Sequence, residues 1–178
     1  MHRNQLLKLL ASYSKRFPQE MDCADRIINF VKKHHDCFER SLSIGHITGS
    51  AWIVNRAGTH SLLTHHKKLN KWLQPGGHAD GESDVMQVAK REGQEESGLV
   101  QLKPESEEIF DVDIHQIPAN SAEQQHLHYD IRFVLRSSGA ENFIVSDESH
   151  DLAWVEIAQL RDYTTETSIL RMAQKWLL

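Results

Sequence analysis

Glu92, Glu95 and Glu96 lie within the segment PGGHADGESDVMQVAKREGQEESGLV, which runs from Pro75 to Val100. Spacings of three and four residues put all three carboxylates on one face of a helix. Like charges so placed repel by roughly 0.2–0.5 kcal/mol per pair, so a helix built for stability alone avoids the pattern. A hard divalent cation relieves the repulsion, because Mg²⁺ and Mn²⁺ prefer carboxylate oxygens and complete their shell with water and substrate phosphate. Arg91, four residues before Glu95, is placed to hold that carboxylate from behind. Taken alone, three such acids read first as a solvated helix face; their surroundings decide the matter.

Histidine is the other residue type in excess, with 12 copies, so its clustering matters more than its total. His126, His128 and Asp130 alternate along a predicted strand and so point to one face. Histidines at such spacing can share a metal. His78 follows the pair Gly76-Gly77, and His46 lies on the first predicted strand. Three readings stay open for this group: a second metal, contact with substrate phosphate, or the polar lining of a pocket. A metal held there would be a transition metal, since Mg²⁺ rarely selects imidazole. His34-His35 and His65-His66 read as surface residues.

The elements that must position these groups follow from periodicity. Residues 4–16 carry apolar side chains at helical spacing until Pro18. From Gln19 to about Cys37, residues Met21, Ala24, Ile27, Ile28, Val31 and Phe38 predict a second amphipathic helix. From Gly45 the period becomes two, with His46, Thr48, Ser50 and Trp52 alternating with Ile47, Gly49, Ala51 and Ile53. Asn55 to Gly58 is a turn, and Ser61 to Thr64 begins the returning strand. A helix from about Asp84 to Ser97 is capped by Asp84 with Gln87 and stopped by Gly98. Strands are expected around 107–117, 125–136 and 152–156, then a turn at 157–161 and a helix at 165–177. The expected fold class is α/β, an α/β/α sandwich on a mixed sheet. Residues 1–40 form a helical extension packed on the domain of residues 41–178.

Bulk properties narrow the partners. Hydrophobic residues at 39% and charged residues at 25% predict a globular chain. No apolar run approaches the roughly 18 residues of a membrane span, so no membrane is expected as partner. The opening residues do not follow a secretory signal pattern, and only Cys23 and Cys37 occur, which makes a reducing cytoplasm the expected location. A net charge of −5 argues against nucleic acid but not against a phosphorylated small molecule.

Arg91-Glu92-Gly93-Gln94-Glu95-Glu96-Ser97-Gly98-Leu99, with Gly76-Gly77 and Gly81-Glu82 before it, resembles the Nudix box, G-x5-E-x7-R-E-U-x-E-E-x-G-U with U bulky and apolar. Two positions depart from it. Counted from Gly76, Glu82 falls on the expected glutamate, but eight residues rather than seven separate it from Arg91. Gly93 replaces a bulky apolar residue, at a helix-propensity cost of about 1 kcal/mol against alanine, which points to close backbone packing. The resemblance extends to Trp52-Ile53-Val54, Leu73-Gln74-Pro75-Gly76-Gly77 and Asp151-Leu152-Ala153-Trp154-Val155, covering about residues 44–178.

That resemblance implies a Nudix-type sandwich that hydrolyses a diphosphate linkage in a nucleoside diphosphate derivative or related small molecule. It implies Mg²⁺ or Mn²⁺ on Glu92, Glu95 and Glu96, with an oxygen from the Gly76 or Gly77 carbonyl, and Arg91 in support. Family members take the general base from the box or from a later loop. Glu148, in Ser146-Asp147-Glu148-Ser149-His150, sits in such a loop, with an ordinary exposed acid as the equal alternative. His78 with His126 and His128 is similar to the metal-binding set of isopentenyl-diphosphate isomerases, although Gly77 stands where those enzymes carry their cysteine. An isomerase-like enzyme and a non-catalytic binding module are therefore the alternatives. Trp72, Tyr129 and Phe133 could stack on a base, but aromatics near a pocket are more often core.

Overall fold

The computed structural model describes residues 2–119 and 124–178. Helix α1 (Asn4–Arg16) buries Leu6, Leu10 and Tyr13. It ends because a residue preceding proline is driven out of the helical region, and Phe17 has φ −127° and ψ 70°. After a 3-10 turn at Pro18–Glu20, α2 (Met21–Lys33) buries Ala24, Ile27, Phe30 and Val31. It stops short of the expected Cys37, with His34 already extended. Cys37 and Phe38 prolong the apolar stripe from a turn, and both are buried.

Strand β1 (Gly45–Val54) runs through the middle of an eight-stranded sheet and is buried along its whole length. It pairs parallel with β7 (His126–Ser137) from Gly45 opposite Leu127 to Val54 opposite Arg136. On its other side it pairs antiparallel with β4 (Gly76–His78) and, at Val54, with β2 (His60–His66). β3 (Lys71–Leu73) and β8 (Ser149–Glu156) are antiparallel to β2. β5 (Leu102–Pro104) and β6 (Asp111–Ile117) are antiparallel to β7. The sheet is mixed, as expected. The three-residue strands β3, β4 and β5 were not expected, because three residues carry no readable period.

Helix α3 (Val85–Ser97) begins where Asp84 accepts the Gln87 backbone N–H and ends at Gly98, whose φ of 72° is left-handed. Ile47, Ala51 and Ile53 of β1 share one core with α1, α2, α3 and Ile131, Phe133 and Leu135 of β7. Trp52 and Val54 face the other way, with Leu63, Val134 and α4 (Thr167–Leu177). Helices thus cover both faces, and the alternation in β1 separates two interiors rather than core from solvent. α3 lies close on β1 because Gly93 has no side chain. A Cβ there would meet Ala51 Cβ at 3.2 Å and both Ile53 Cδ1 and Leu102 Cδ1 at 3.3 Å.

The N-terminal helices are fixed by more than apolar contact. Tyr129 stacks on Phe30 with ring centroids 3.9 Å apart. Lys175 of α4 donates to Tyr13 Oη at 2.7 Å, Glu20 Oε2 at 2.8 Å and Asp111 Oδ1 at 2.6 Å. Asp111 also receives Arg171 Nη2 at 2.7 Å and Arg132 Nη1 at 3.0 Å. Burial alone would push the Asp111 carboxyl up, but hydrogen bonding from Arg171 and the nearby cations hold it below the usual carboxylate range.

Two outcomes follow from this packing. Gly93→Leu should lower stability in urea by about 1–3 kcal/mol despite its better helix propensity, because the added atoms meet the β1 side chains. Arg132→Met should cost roughly 3–5 kcal/mol in the same measurement, since it strands buried aspartates without their cation.

Candidate active site

The two glycines of β4 let this short strand lie flush between β1 and α3. A Cβ at Gly76 would fall on the Ser50 hydroxyl, and one at Gly77 on the Glu92 carboxylate. A side chain at residue 77 would have to displace the Glu92 carboxylate, so the glycine keeps that carboxylate against β4. With nothing in between, the Gly76 N–H donates to Glu96 Oε1 at 2.7 Å.

Glu96 is 7% exposed, Glu92 is half-buried and Glu95 is exposed. Burial pushes the Glu96 carboxyl up to about 8; the Gly76 N–H opposes this, and the charges of Glu92 and Glu148 add to it. Burial likewise pushes Glu92 up, against the pull of Arg91, with Glu95 and Glu148 contributing further. Four carboxylates therefore act on one another in this corner. Arg91 was expected to hold Glu95; instead its Nη2 donates to Glu92 Oε1 at 2.7 Å and to the His78 carbonyl at 2.8 Å. The guanidinium turns inward toward β4, whereas Glu95 points to solvent.

Glu148 lies just before β8, and its backbone carbonyl accepts the Lys67 N–H at 3.0 Å. Glu82 is exposed and accepts the Asp84 N–H at 2.8 Å, ahead of α3. The changed spacing of the motif is absorbed there, away from the carboxylate group.

Beyond β4, the register lines up polar residues in rows across β1, β7 and β6. His46 pairs with His128, which pairs in turn with His115; Thr48 leads in the same way through Asp130 to Asp113, and Ser50 through Arg132 to Asp111. His78 pairs with Thr48 from the other side. Ligand atoms of His46, His78 and His128 all lie within 4.8 Å of one another. Among the described residues this is the one such set of three, and the glutamate trio is less tightly converged. His126 Nε2 is 3.3 Å from His128 Nε2, and its Nδ1 is 2.8 Å from the Gln124 carbonyl. His115 Nδ1 lies 3.3 Å from Asp113 Oδ2. Burial pushes His128 down to about 2, helped by the charges of His115, His78, His46 and His126. His46, noted on the first strand but not assigned, is a full member of the group. Only the strand register reveals this, and register is not written in any single segment.

Asp130 is a different case from its histidine neighbours. It accepts Thr48 Oγ1 at 2.9 Å, Ser50 Oγ at 2.8 Å, Gln74 Nε2 at 3.3 Å and Arg132 Nε at 2.7 Å. Four protein donors occupy its lone pairs, so the structure makes it a brace for the pocket floor and corrects its expected place beside the histidines as a ligand. Of the three aromatics, Phe133 is core and Tyr129 is covered by Phe30. Trp72, half-buried, stacks on His65 at 5.0 Å and meets the edge of Tyr163 at 4.8 Å.

The NUDIX domain profile matches residues 46–175 of the chain. No curated protein matches the sequence closely enough to count as a relative. Among solved structures, the fold is similar to a C. elegans Ap4A hydrolase in a binary complex, with a TM-score of 0.59 at 18% identity, over 74% of this chain and 94% of that one. It is also similar to a MutT protein from Methanosarcina mazei Go1, with a TM-score of 0.54 at 21% identity, over 76% of this chain and 94% of the other. RenU, a Nudix hydrolase from M. smegmatis, gives a TM-score of 0.54 at 20% identity, over 74% and 83%. With the profile match spanning most of the sequence, the chain belongs to the Nudix family.

Proposed function

We propose that the protein is a metal-dependent hydrolase of a diphosphate linkage in a nucleoside diphosphate derivative or a related small molecule. The observation that carries this reading is the buried acidic corner, where Glu96 and Glu92 are both pushed up by desolvation and by neighbouring carboxylates. Such a donor set fits a hard cation, Mg²⁺ or Mn²⁺, with Glu92, Glu95 and Glu96 holding it. When bound, the cation would neutralise the diphosphate and acidify the attacking water.

The chain's own residues supply the rest. The Gly76 N–H fixes one Glu96 oxygen, and the other would be available to a cation. Arg91 is a positioning residue that fixes Glu92 against the β4 peptide. Glu148, close enough to raise both Glu92 and Glu96, takes the proton from the attacking water. Tyr129 is stacked on Phe30 and Phe133 is core, which leaves half-buried Trp72 as the aromatic of the three to lie against a base.

Mg²⁺-stimulated turnover across a panel of nucleoside diphosphate derivatives tests the reading. Glu95→Gln and Glu96→Gln should each lower kcat by roughly three orders of magnitude, the equivalent of several kcal/mol of lost charge stabilisation. Absence of turnover on every panel member, with no divalent ion bound, would overturn it. Glu148→Gln should lower kcat by about 10²–10⁴-fold and leave KM nearly unchanged, as removal of a proton acceptor does.

A pH signature accompanies the site. Glu96 titrates near 4.5 when unfolded and near 8 when folded, so the folded state holds an extra proton between those values. Without metal, the contribution of this group to stability is present below about pH 4.5 and falls as pH rises toward 8. Urea melts at stepped pH should show that decline, and Mg²⁺ or Glu96→Gln should flatten it.

A further inference from the structure

We propose that His46, His78 and His128 form a second metal site, distinct in chemistry from the glutamate site, that takes one borderline divalent ion such as Zn²⁺, Fe²⁺ or Co²⁺. The proposal stands on the convergence of imidazoles and does not require the hydrolase reading to hold.

Three strands, β1, β7 and β4, each contribute one histidine, and the ligand atoms are mutually within 4.8 Å. In a tetrahedral zinc site with bonds of about 2.0–2.1 Å, two ligand nitrogens stand about 3.4 Å apart. Small rotations of the three rings close that difference with the backbone in place, because each Cα is already fixed by strand pairing. His126 and His115 ring the trio, and centroids in the cluster are separated by 4.9 to 5.4 Å. Five imidazoles gathered in one half-buried pocket contribute little to packing that apolar residues would not supply better. Imidazole suits Zn, Fe, Co and Ni, while Mg²⁺ keeps to oxygen ligands.

Partners surround the trio at the right distance to orient it. His126 Nδ1 is anchored on the Gln124 carbonyl, and its Nε2 lies against His128. His115 is oriented by Asp113. Three protein ligands leave a fourth position for water or a substrate oxygen, the pattern of open zinc sites. The two sites share a wall. The His78 carbonyl and the Glu92 carboxylate receive the same Arg91 nitrogen, so an ion at either site acts across a single peptide from the other.

The test uses the full chain, stripped with chelator and titrated with Co²⁺, whose visible absorption reports imidazole ligation while Mg²⁺ is silent. One equivalent should bind, survive excess Mg²⁺ and persist in Glu95→Gln. His46→Gln, His78→Gln and His128→Gln should each weaken uptake at least about 100-fold, the upper end of what loss of even an outer partner costs. His78 and His128 are half-buried and only His46 is interior, so His78→Gln decides the matter should the His46 variant fail to fold. Absence of Co²⁺ binding to the wild type, or unchanged uptake in His78→Gln, overturns the site. So does a response of the wild type to inorganic phosphate alone with no metal uptake. Co²⁺ bound as stated without hydrolysis of any diphosphate would sink the proposed function and leave this site standing.

Discussion

The Arg132 guanidinium is the interaction on which most of this structure depends. It is buried at 2% exposure and touches Asp130, Asp111 and Asp113 at 2.7, 3.0 and 3.4 Å. Through Asp130 it fixes Thr48, Ser50 and Gln74, residues beside the short strand β4. Through Asp111 it reaches Arg171 and Lys175 of α4, and through Lys175 the N-terminal Glu20 and Tyr13. Asp130 and Asp111 are buried and Asp113 half-buried, and a buried guanidinium is tolerated only because these carboxylates surround it. One shared charge thus ties the pocket floor, the last helix and the first two helices together.

The polar rows across β1, β7 and β6 run along the sheet from that charge to the imidazole cluster. A sheet face covered by helices would ordinarily be apolar throughout. Here α4 covers only the Trp52 and Val54 end, and the remainder carries His46, Thr48, Ser50, Asp130 and His128. Carboxylates from α3 reach β4 from the opposite side of the sheet, where Gly77 leaves room for the Glu92 carboxylate and the Gly76 N–H for that of Glu96. The pocket is therefore built where two kinds of donor, oxygen from a helix and nitrogen from strands, come within one strand's width.

Long periodic segments were legible in the sequence. β1, α3 with its Asp84 and Gly98 ends, β7 and α4 follow from pattern and capping, and so does the acidic face of α3. Gly93 was readable as a close approach, and Ala51, Ile53 and Leu102 are what it approaches. Pairings between distant segments were not legible. Arg91 chose Glu92 over Glu95 because β4 lay beside it, and β4 is too short to have a period. His46 meets His128 through parallel pairing with β7 and His78 through β4, facts of register that join residues far apart in the chain. Asp130 looked like a ligand by alternation, yet Thr48, Ser50, Gln74 and Arg132 had already claimed its oxygens. Spacing identifies which groups share a face; neighbours decide what each does.

The contact between Tyr13 and Lys175 spans 162 residues. During synthesis α1 and α2 emerge before the strands, so Leu6, Leu10, Ile27 and Val31 wait for a sheet that has not yet left the ribosome. The parallel partner of β1 arrives about eighty residues later, so the central pairing of the sheet cannot form as the chain grows. Vectorial folding is therefore closed to this topology. The nascent chain must carry a greasy N-terminal hairpin through most of translation, which makes its early life, rather than its finished state, the stage most exposed to aggregation and to chaperone capture.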